Sequence, residues 1–336
     1  MFRWLIGAIL GLIGLAAVVA VAGYFVLKRD DIPYATLAAH YENANSRYVD
    51  LPGGIHMHYR DEGARPGDAT LLLVHGYAAS VQTWEPWVRE LGNDYRIISI
   101  DLPGHGLTSA PAGYQPTIGN YVDAVNAFAA SQHLDHFVLA GNSMGGDIAW
   151  HYALAHPEQL NALVLVDAGG WPDASTEREP LAFKLLSNPI LAPLLRDLDN
   201  TRLTREGLEK AFVNRSLIND AMVSRYTDLA RAPGHREILV RIMLDRSTRD
   251  VATPQRLHAI RTPTLIIHGD HDNLIAPSSG HHFKDAIPDS QLVMLPNVGH
   301  VPQEEASARS AMAVHEFLYA LGERGYEAMQ PGAAAE

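Results

Sequence analysis

The sequence predicts an α/β protein in which a mostly parallel sheet of eight strands carries helices on both faces. Two observations support this fold class. Strand and helix signals alternate along residues 47–325, and several of the strands are uninterrupted apolar runs such as LLLV, IISI, LVLV and LIIH. Such runs are typical of strands that are buried on both faces, as parallel strands are when helices cover the sheet.

The first element is an apolar segment at the N-terminus. Trp4–Leu27 comprises 24 consecutive residues without a charge, and at 1.5 Å per residue this helix would cross a hydrocarbon core of ~30 Å. Aromatic residues lie near both of its ends, and Lys28 and Arg29 follow directly. This order is typical of interfacial aromatics followed by a polar stop. We therefore predict a transmembrane anchor over residues 1–29.

A cleaved signal peptide is the alternative interpretation of this segment. Ala20-Val21-Ala22 resembles a small-residue cleavage site, but the apolar run is longer than the ~7–15 residues of a signal core. Arg3 and the amino terminus on one side balance Lys28 and Arg29 on the other, so the count of positive charges does not set the orientation. Our working hypothesis places the folded domain on the extracytoplasmic side.

A connecting segment, residues 30–46, leads from the anchor to one folded domain over residues 47–325. The predicted strands are 47–50, 55–60, 70–75, 96–101, 136–142, 162–167, 264–268 and 291–295. The predicted helices of this domain are 81–91, 117–131, 144–156, 278–286 and 306–321. Residues 326–336 are expected to form a C-terminal tail.

An insertion, residues 171–250, separates the sixth strand from the seventh. It lacks buried-strand runs and shows helical patterns over 205–213 and 218–229. A segment inserted between two parallel strands lies over the carboxyl edge of the sheet, which is where ligands bind in this architecture. We predict that the insertion is a helical lid over a pocket rather than a decoration without a role.

Composition excludes several classes of function. The chain of 336 residues carries a net charge of −12, so phosphate backbones would repel it and nucleic acid is not an expected partner. It has no cysteine, which excludes disulfides, a thiol nucleophile and thiolate metal sites.

The sharpest local signal is Gly141-Asn142-Ser143-Met144-Gly145-Gly146, which follows the apolar run HFVLA and opens a helix. It is the G-x-S-x-G pattern in the strand–turn–helix context that this pattern requires. The flanking glycines let strand and helix approach each other, and the helix N-terminus favours developing negative charge. We therefore predict that Ser143 is a nucleophile.

A serine nucleophile needs a base, and the base needs a carboxylate. His300 lies in the loop after the eighth strand, and Asp272 lies in the loop after the seventh. The chain order Ser143, Asp272, His300 matches one known order of such triads. Asp270 in the same loop and Asp167 at the end of the sixth strand are the alternatives for the acid.

Backbone N–H groups are expected to bind the oxyanion of a tetrahedral intermediate. The usual donors are the residue after the nucleophile, Met144, and a residue in the loop after the third strand, here Tyr77. His75, which ends that strand, is interpreted as structural. The turn-rich stretch Asp101–Thr108 is likewise expected to be architectural.

A metal site is not expected in this sequence. Histidines cluster at four positions near the seventh strand and the helix after it, namely His268, His271, His281 and His282. No H-E-x-x-H or comparable ligand spacing accompanies them. We therefore predict neither a metal nor an organic cofactor.

Five ordered blocks, HGYAAS, DLPGHGLTS, GNSMGG, GDHDNLIAP and NVGHVPQEE, resemble those of the serine α/β-hydrolase superfamily over residues 47–325. The serine at position 143 distinguishes the chain from the similar haloalkane dehalogenases and epoxide hydrolases, which carry aspartate there. A single N-terminal helix before such a domain is similar to membrane-anchored monoacylglycerol lipases and to bacterial esterases. The resemblance implies a triad of Ser143, Asp272 and His300, with Tyr77 and Met144 as oxyanion donors.

The function that these observations predict is hydrolysis of carboxylic esters, with a medium-chain acyl ester or monoacylglycerol as substrate. Hydrolysis of C–C bonds in meta-cleavage products, or of lactones, by the same triad is the alternative. The short loop HGYAAS and Val301 after His300 depart from the C–C hydrolase pattern. A non-catalytic, membrane-tethered binding protein is a third hypothesis.

Overall fold

The computed structural model describes residues 2–63, 69–172, 181–245 and 250–328. Eight strands form one sheet in this part of the chain. Their bounds are β1 Ser46–Leu51, β2 Ile55–Glu62, β3 Thr70–Val74, β4 Arg96–Ile100, β5 Phe137–Asn142, β6 Leu160–Val166, β7 Thr264–Gly269 and β8 Ser290–Leu295. Each predicted strand is confirmed, with ends that differ by at most two residues.

The strand order is β1-β2-β4-β3-β5-β6-β7-β8. The pairs β1–β2 and β2–β4 are antiparallel, and the remaining pairs are parallel. The mostly parallel sheet is therefore confirmed. All parallel strands present their carboxyl ends at the same edge, where the loops that follow β3, β5, β6, β7 and β8 meet.

Two helices precede the sheet, and the others follow its strands or lie in the insertion. Their bounds are α1 Phe2–Leu27, α2 Tyr34–Tyr41, α3 Glu85–Leu91, α4 Ile118–Ser131, α5 Met144–Ala155, α6 Leu181–Leu186, α7 Ala192–Leu195, α8 Thr201–Ala211, α9 Asp220–Ala230, α10 His235–Leu244, α11 Pro254–Leu257, α12 Ser278–Ala286, α13 Pro302–Glu305 and α14 Ser307–Ala328. The predicted helix over 81–91 divides into a 3₁₀ turn, Val81–Trp84, and α3. Pro86 in the first turn of α3 explains this boundary, because proline is tolerated there and not in a helix interior.

Helices cover both faces of the sheet, as the apolar runs predict. Leu71 and Leu73 of β3 point into one core, where Trp84 and Trp87 pack, while Leu72 and Val74 point into the other. All four strand side chains are fully buried. Burial on both faces explains why this strand is a continuous apolar run rather than an alternating one.

Helix α1 coincides with the predicted anchor. Across the residues whose side chains the structure describes, no helix combines the length and the apolarity that a membrane crossing requires. The segment predicted as a connection, residues 30–46, contains α2, and Leu37 of that helix is buried in a small cluster with Leu107 and Leu229. This segment is therefore packed against the domain, because its apolar side chains have a groove to fill.

The described residues of the insertion between β6 and β7 contain five helices, α6 to α10. The C-terminal helix α14 continues to Ala328, so the first residues of the predicted tail are helical. Residues 329–336 of that tail lie outside the described residues, as do 173–180 and 246–249 of the insertion.

Candidate active site

Ser143 lies in the turn between β5 and α5, in a backbone conformation that side chains rarely adopt. Its φ and ψ angles are 57° and −116°, and such a strained residue persists only where the surrounding structure holds it. A Cβ at Gly141 would collide with the carbonyl oxygen of Gly145, and a Cβ at Gly145 would collide with that of Val74. The glycines are therefore required for the close approach of α5 to the sheet.

His300 and Asp272 are joined by a hydrogen bond. The distance from His300 Nδ1 to Asp272 Oδ2 is 2.7 Å, and Asp272 Oδ1 accepts the N–H groups of Leu274 at 2.7 Å and Ile275 at 3.0 Å. Burial opposes ionisation of Asp272, but the charge of His300 and its hydrogen bond outweigh burial and lower the pKa of this carboxyl. The carboxylate is thus held in its ionised form beside the imidazole.

Asn142, which the sequence analysis did not single out, helps to place His300. Its side-chain amide donates to the carbonyl oxygens of Val166 at 3.2 Å and His300 at 3.1 Å. The loop after β8 is thereby attached to the strand that carries Ser143. The sequence feature that could have indicated this role is a polar residue at the end of an otherwise apolar strand.

Ser143 and His300 lie on the wall of the same cavity, which has a volume of about 510 Å³. Among the described residues, no hydrogen bond joins the side chains of Ser143 and His300. Catalytic hydrogen bonds are often formed only when substrate is bound, so shared access to one cavity is the relevant geometry.

The two predicted oxyanion donors both belong to segments next to Ser143. Met144 is the first residue of α5. A Cβ added to Gly76 would lie 3.0 Å from Ser143 Cβ, so the loop that contains Gly76 and Tyr77 approaches the serine closely. Tyr77 and Met144 both line the cavity.

The structure separates the three candidate acids. Asp270 is exposed, and its Oδ1 lies 2.6 Å from both His271 Nδ1 and the N–H of Asn297, so it shapes the turn. Asp167 is fully buried and accepts the N–H of Gly269 at 2.9 Å. Of the three, only Asp272 is hydrogen-bonded to His300 among the described contacts.

His75 is enclosed by backbone. Its Nε2 accepts the N–H of Leu102 at 3.1 Å, and its Nδ1 donates to the carbonyl oxygen of Gly76 at 2.8 Å. Burial is the main cause that lowers the pKa of this imidazole, which keeps it neutral. These contacts support a structural role for His75 at the base of the loop.

A second Ser–His–Asp arrangement, which the sequence analysis missed, lies near the antiparallel edge of the sheet. Ser46 Oγ lies 2.9 Å from His58 Nε2, and His58 Nδ1 lies 2.7 Å from Asp101 Oδ2. Asp101 also accepts the N–H groups of Val81 and Leu107. This cluster attaches the loop that begins at Asp101 to β1 and β2, which supports an architectural role for the stretch Asp101–Thr108.

Three buried side chains, Asp272 among them, carry atoms of the kind that bind metal ions. Ligand atoms of Asp167, His268 and Asp272 lie within 4.8 Å of one another. Both oxygens of Asp272 already accept hydrogen bonds. A metal ion here would compete with His300 for the carboxylate, so this arrangement does not favour a metal centre.

Most of the cavity wall that faces the triad comes from the insertion. Apolar side chains dominate it, and they include Leu185, Leu186, Leu195, Leu203, Leu208, Leu239, Val240, Ile242 and Met243. The insertion therefore covers the carboxyl edge of the sheet, as a lid would.

Comparison with known proteins agrees with this geometry. A family model described as alpha/beta hydrolase fold matches residues 69–307. The chain is 29% identical to 2-hydroxymuconate semialdehyde hydrolase of Pseudomonas sp. (strain CF600), with 80% of this chain and 92% of that protein covered. It is also 29% identical to Lipase 1 of Psychrobacter immobilis, with 78% and 80% covered.

Among solved structures, the chain is similar to the crystal structure of a membrane phospholipase A described as a bacterial virulence factor. The TM-score is 0.71 and the identity 29%, with 96% of this chain and 99% of that chain covered. The family match, the sheet topology and the elbow at Ser143 lead to one conclusion: this chain is a hydrolase of the serine α/β-hydrolase superfamily.

Proposed function

We propose that the protein hydrolyses carboxylic esters with apolar acyl chains, through an acyl-enzyme on Ser143. One observation carries the proposal. Ser143 and His300 both open onto a cavity of about 510 Å³ whose lid wall is mainly aliphatic. An acyl chain can pack against such a wall while its carbonyl carbon lies against the serine.

The chemistry assigns one role to each residue. Ser143 Oγ attacks the ester carbonyl as His300 Nε2 accepts the hydroxyl proton, and Asp272 stabilises the imidazolium through Nδ1. The N–H groups of Tyr77 and Met144 donate to the oxyanion. His300 then protonates the leaving alcohol, and water attacks the acyl-enzyme by the same steps in reverse.

Two arginines on the cavity wall bear on the C–C hydrolase alternative, whose dienoate substrates carry a carboxylate. Arg236 pairs with Asp31 at 2.6 Å and donates to the carbonyl oxygen of Arg29, and Arg196 lies 3.4 Å from Asp197. Both cations already have anionic partners, which weakens their attraction for a substrate carboxylate. Ester hydrolysis is therefore the better match to this cavity.

Attachment to a membrane through α1 is part of the proposal. Its described apolar side chains include Leu10, Leu15, Val18 and Val19, each more than 60% exposed. Aliphatic side chains that are exposed around a helix are stable when an apolar environment covers them. For residues 1–29 the sequence predicts that this environment is lipid.

The end of α1 is tied to the lid, which supports delivery of substrate from the membrane. The backbone N–H of Arg29 donates to the carbonyl oxygen of Asp197, and the backbone N–H of Asp199 donates to the carbonyl oxygen of Leu27, each at 2.8 Å. The adjoining Leu195 and Arg196 line the cavity. A lipid-derived ester that partitions into the bilayer would meet this side of the lid first.

Hydrolysis of p-nitrophenyl esters from acetate to palmitate tests the substrate class. We expect kcat/KM to rise from acetate to medium chains, because each buried CH₂ contributes about 0.8 kcal/mol. Meta-cleavage dienoates and acyl-lactones serve as the comparison substrates. Activity highest on acetate and falling with chain length, or confined to dienoates or lactones, would contradict the proposal.

Cell fractionation tests the membrane attachment. We expect the full chain to sediment with membranes and to resist extraction by carbonate, whereas a variant that lacks residues 2–27 should be released. A C-terminal reporter that is active only outside the cytoplasm is expected for the proposed extracytoplasmic orientation. Recovery of the full chain in the supernatant would refute the attachment, and a reporter active only in the cytoplasm would reverse the orientation.

A further inference from the structure

A buried carboxyl group beside the triad has no role in the mechanism above. Asp167 follows β6, is fully buried and has a φ of 43°, a conformation that a non-glycine residue adopts at a cost. Its Oδ1 accepts the N–H of Gly269 at 2.9 Å. Its Oδ2 is buried and finds no hydrogen-bond donor among the described residues.

The neighbour of Asp167 is the acid of the triad. A carboxylate oxygen of Asp272 lies within 4.8 Å of one of Asp167. Two ionised carboxylates are both acceptors, so they could not bond and would repel each other in a buried site. A proton on Asp167 removes both problems, because the protonated carboxyl is a donor.

The other titratable groups nearby do not offer a substitute for that proton. His268 Nε2 lies 3.6 Å from a carboxylate oxygen of each aspartate and 3.3 Å from the carbonyl oxygen of Ile275. Burial lowers the pKa of His268, which keeps it neutral. The negative charge of Glu305, on α13, also raises the pKa of Asp167. His281 of α12 and His300 of the triad act on His268 and oppose its protonation.

We propose that Asp167 is a positioning residue that remains protonated at neutral pH and donates a hydrogen bond to the Asp272 carboxylate. The proposal rests on the triad of the proposed function and adds a fourth member to it. The donated bond limits rotation of Asp272, so that Oδ2 stays directed at His300 Nδ1. It does so without adding a second negative charge.

The expected directions of ionisation agree with this arrangement. Burial and the charge of Asp272 raise the pKa of Asp167 well above its usual value, whereas the pKa of Asp272 is lowered by His300 despite burial. Neighbouring carboxyls whose pKa values are driven apart are a recognised way to keep one of them as a neutral donor.

Asp167→Asn and Asp167→Ala separate this role from simple packing. Asparagine cannot ionise but keeps an acceptor for Gly269 and a donor for Asp272, whereas alanine has neither. The rate at which a fluorophosphonate labels Ser143 measures how strongly the serine is activated. This rate does not depend on which bond of a natural substrate the enzyme cleaves. Asp135→Asn, which removes an exposed charge at the opposite end of β5, is the matched control.

We expect Asp167→Asn to label within about threefold of wild type at neutral pH, and Asp167→Ala to label roughly tenfold to a hundredfold more slowly. Wild type should lose rate on the alkaline side as Asp167 ionises, and Asp167→Asn should not show this loss. The infrared spectrum of wild type should contain the C=O stretching band of a protonated carboxyl, and Asp167→Asn should lack it. Asp135→Asn should match wild type throughout.

The temperature of thermal unfolding provides an independent test of the direction in which folding shifts the pKa of Asp167. A carboxyl whose pKa is raised by folding costs stability above its unfolded pKa, and this cost disappears as the pH falls below that value. Asp167→Asn should therefore unfold at a higher temperature than wild type at neutral pH, and the difference should vanish near the pH at which unfolded aspartate is protonated.

Three results would overturn the proposal. The first is a carboxyl infrared band that Asp167→Asn leaves unchanged. The second is labelling of Asp167→Asn as slow as that of Asp167→Ala. The third is a loss of labelling rate at alkaline pH that wild type and Asp167→Asn share. The infrared and unfolding measurements need no activity, so they test the protonation of Asp167 even if the chain cleaves no ester.

Discussion

Replacement of Ser143 by alanine is expected to lower kcat by roughly 10⁴-fold to 10⁶-fold, leaving only the contribution of binding and oxyanion stabilisation. Alanine lacks the hydroxyl that we propose forms the acyl-enzyme, whereas the cavity and the N–H groups around it persist. The measurement is the steady-state hydrolysis of a medium-chain p-nitrophenyl ester, together with fluorophosphonate labelling of the same preparation. Both signals should be lost.

Ser46 provides a control for this experiment that the fold itself supplies. Its hydroxyl lies 2.9 Å from His58 Nε2 in a second Ser–His–Asp arrangement, but the N–H of Asn43 already donates to it at 3.1 Å. Ser46 is also absent from the lining of the cavity that contains His300. Ser46→Ala should therefore retain labelling and hydrolysis, and residual labelling of Ser143→Ala at Ser46 would contradict the assignment of the nucleophile.

Asp272→Asn is expected to reduce kcat by about 10⁴-fold with little change in the shape of the cavity. An asparagine that faces His300 can present its amide N–H to Nδ1, which favours the imidazole tautomer that cannot accept the Ser143 proton. It also removes the negative charge that stabilises the imidazolium. Initial rates on the same ester, with unfolding temperatures measured alongside, separate loss of catalysis from loss of fold.

Near-wild-type turnover by Asp272→Asn would transfer the role of acid to Asp167. The double variant Asp167→Asn, Asp272→Asn would then be needed to abolish activity. The geometry predicts the opposite, because the hydrogen bond to His300 Nδ1, 2.7 Å long, comes from Asp272.

The central strands of the sheet could be predicted closely because burial on both faces requires continuous apolar runs, as in Thr70–Val74. The elbow could be predicted because few residues other than glycine fit where Gly141 and Gly145 meet neighbouring backbone. The loops that carry Asp272 and His300 followed from their place after β7 and β8 at one edge of the sheet. In each case a local pattern was sufficient, since steric limits act at fixed spacing.

Other features depend on contacts between residues that are distant in sequence. Leu37 is buried only because Leu107 and Leu229 form a groove for it, which no local pattern of residues 30–46 shows. The cluster of Ser46, His58 and Asp101 likewise joins parts of the chain that lie 12 and 43 residues apart. The partner of Asp167 was hidden for the same reason, since its orphaned oxygen becomes evident only once β6 and β7 lie side by side.

The most direct test of the central claim is to identify the covalent intermediate. The full-length protein would be mixed with p-nitrophenyl octanoate and quenched in acid within the first turnover, and its peptides would be analysed by mass spectrometry. If Ser143 is the nucleophile, the peptide that contains it will carry an octanoyl group, and a burst of p-nitrophenol of matching size will accompany it. Steady turnover with no acyl adduct, or an adduct on any other residue, would contradict it.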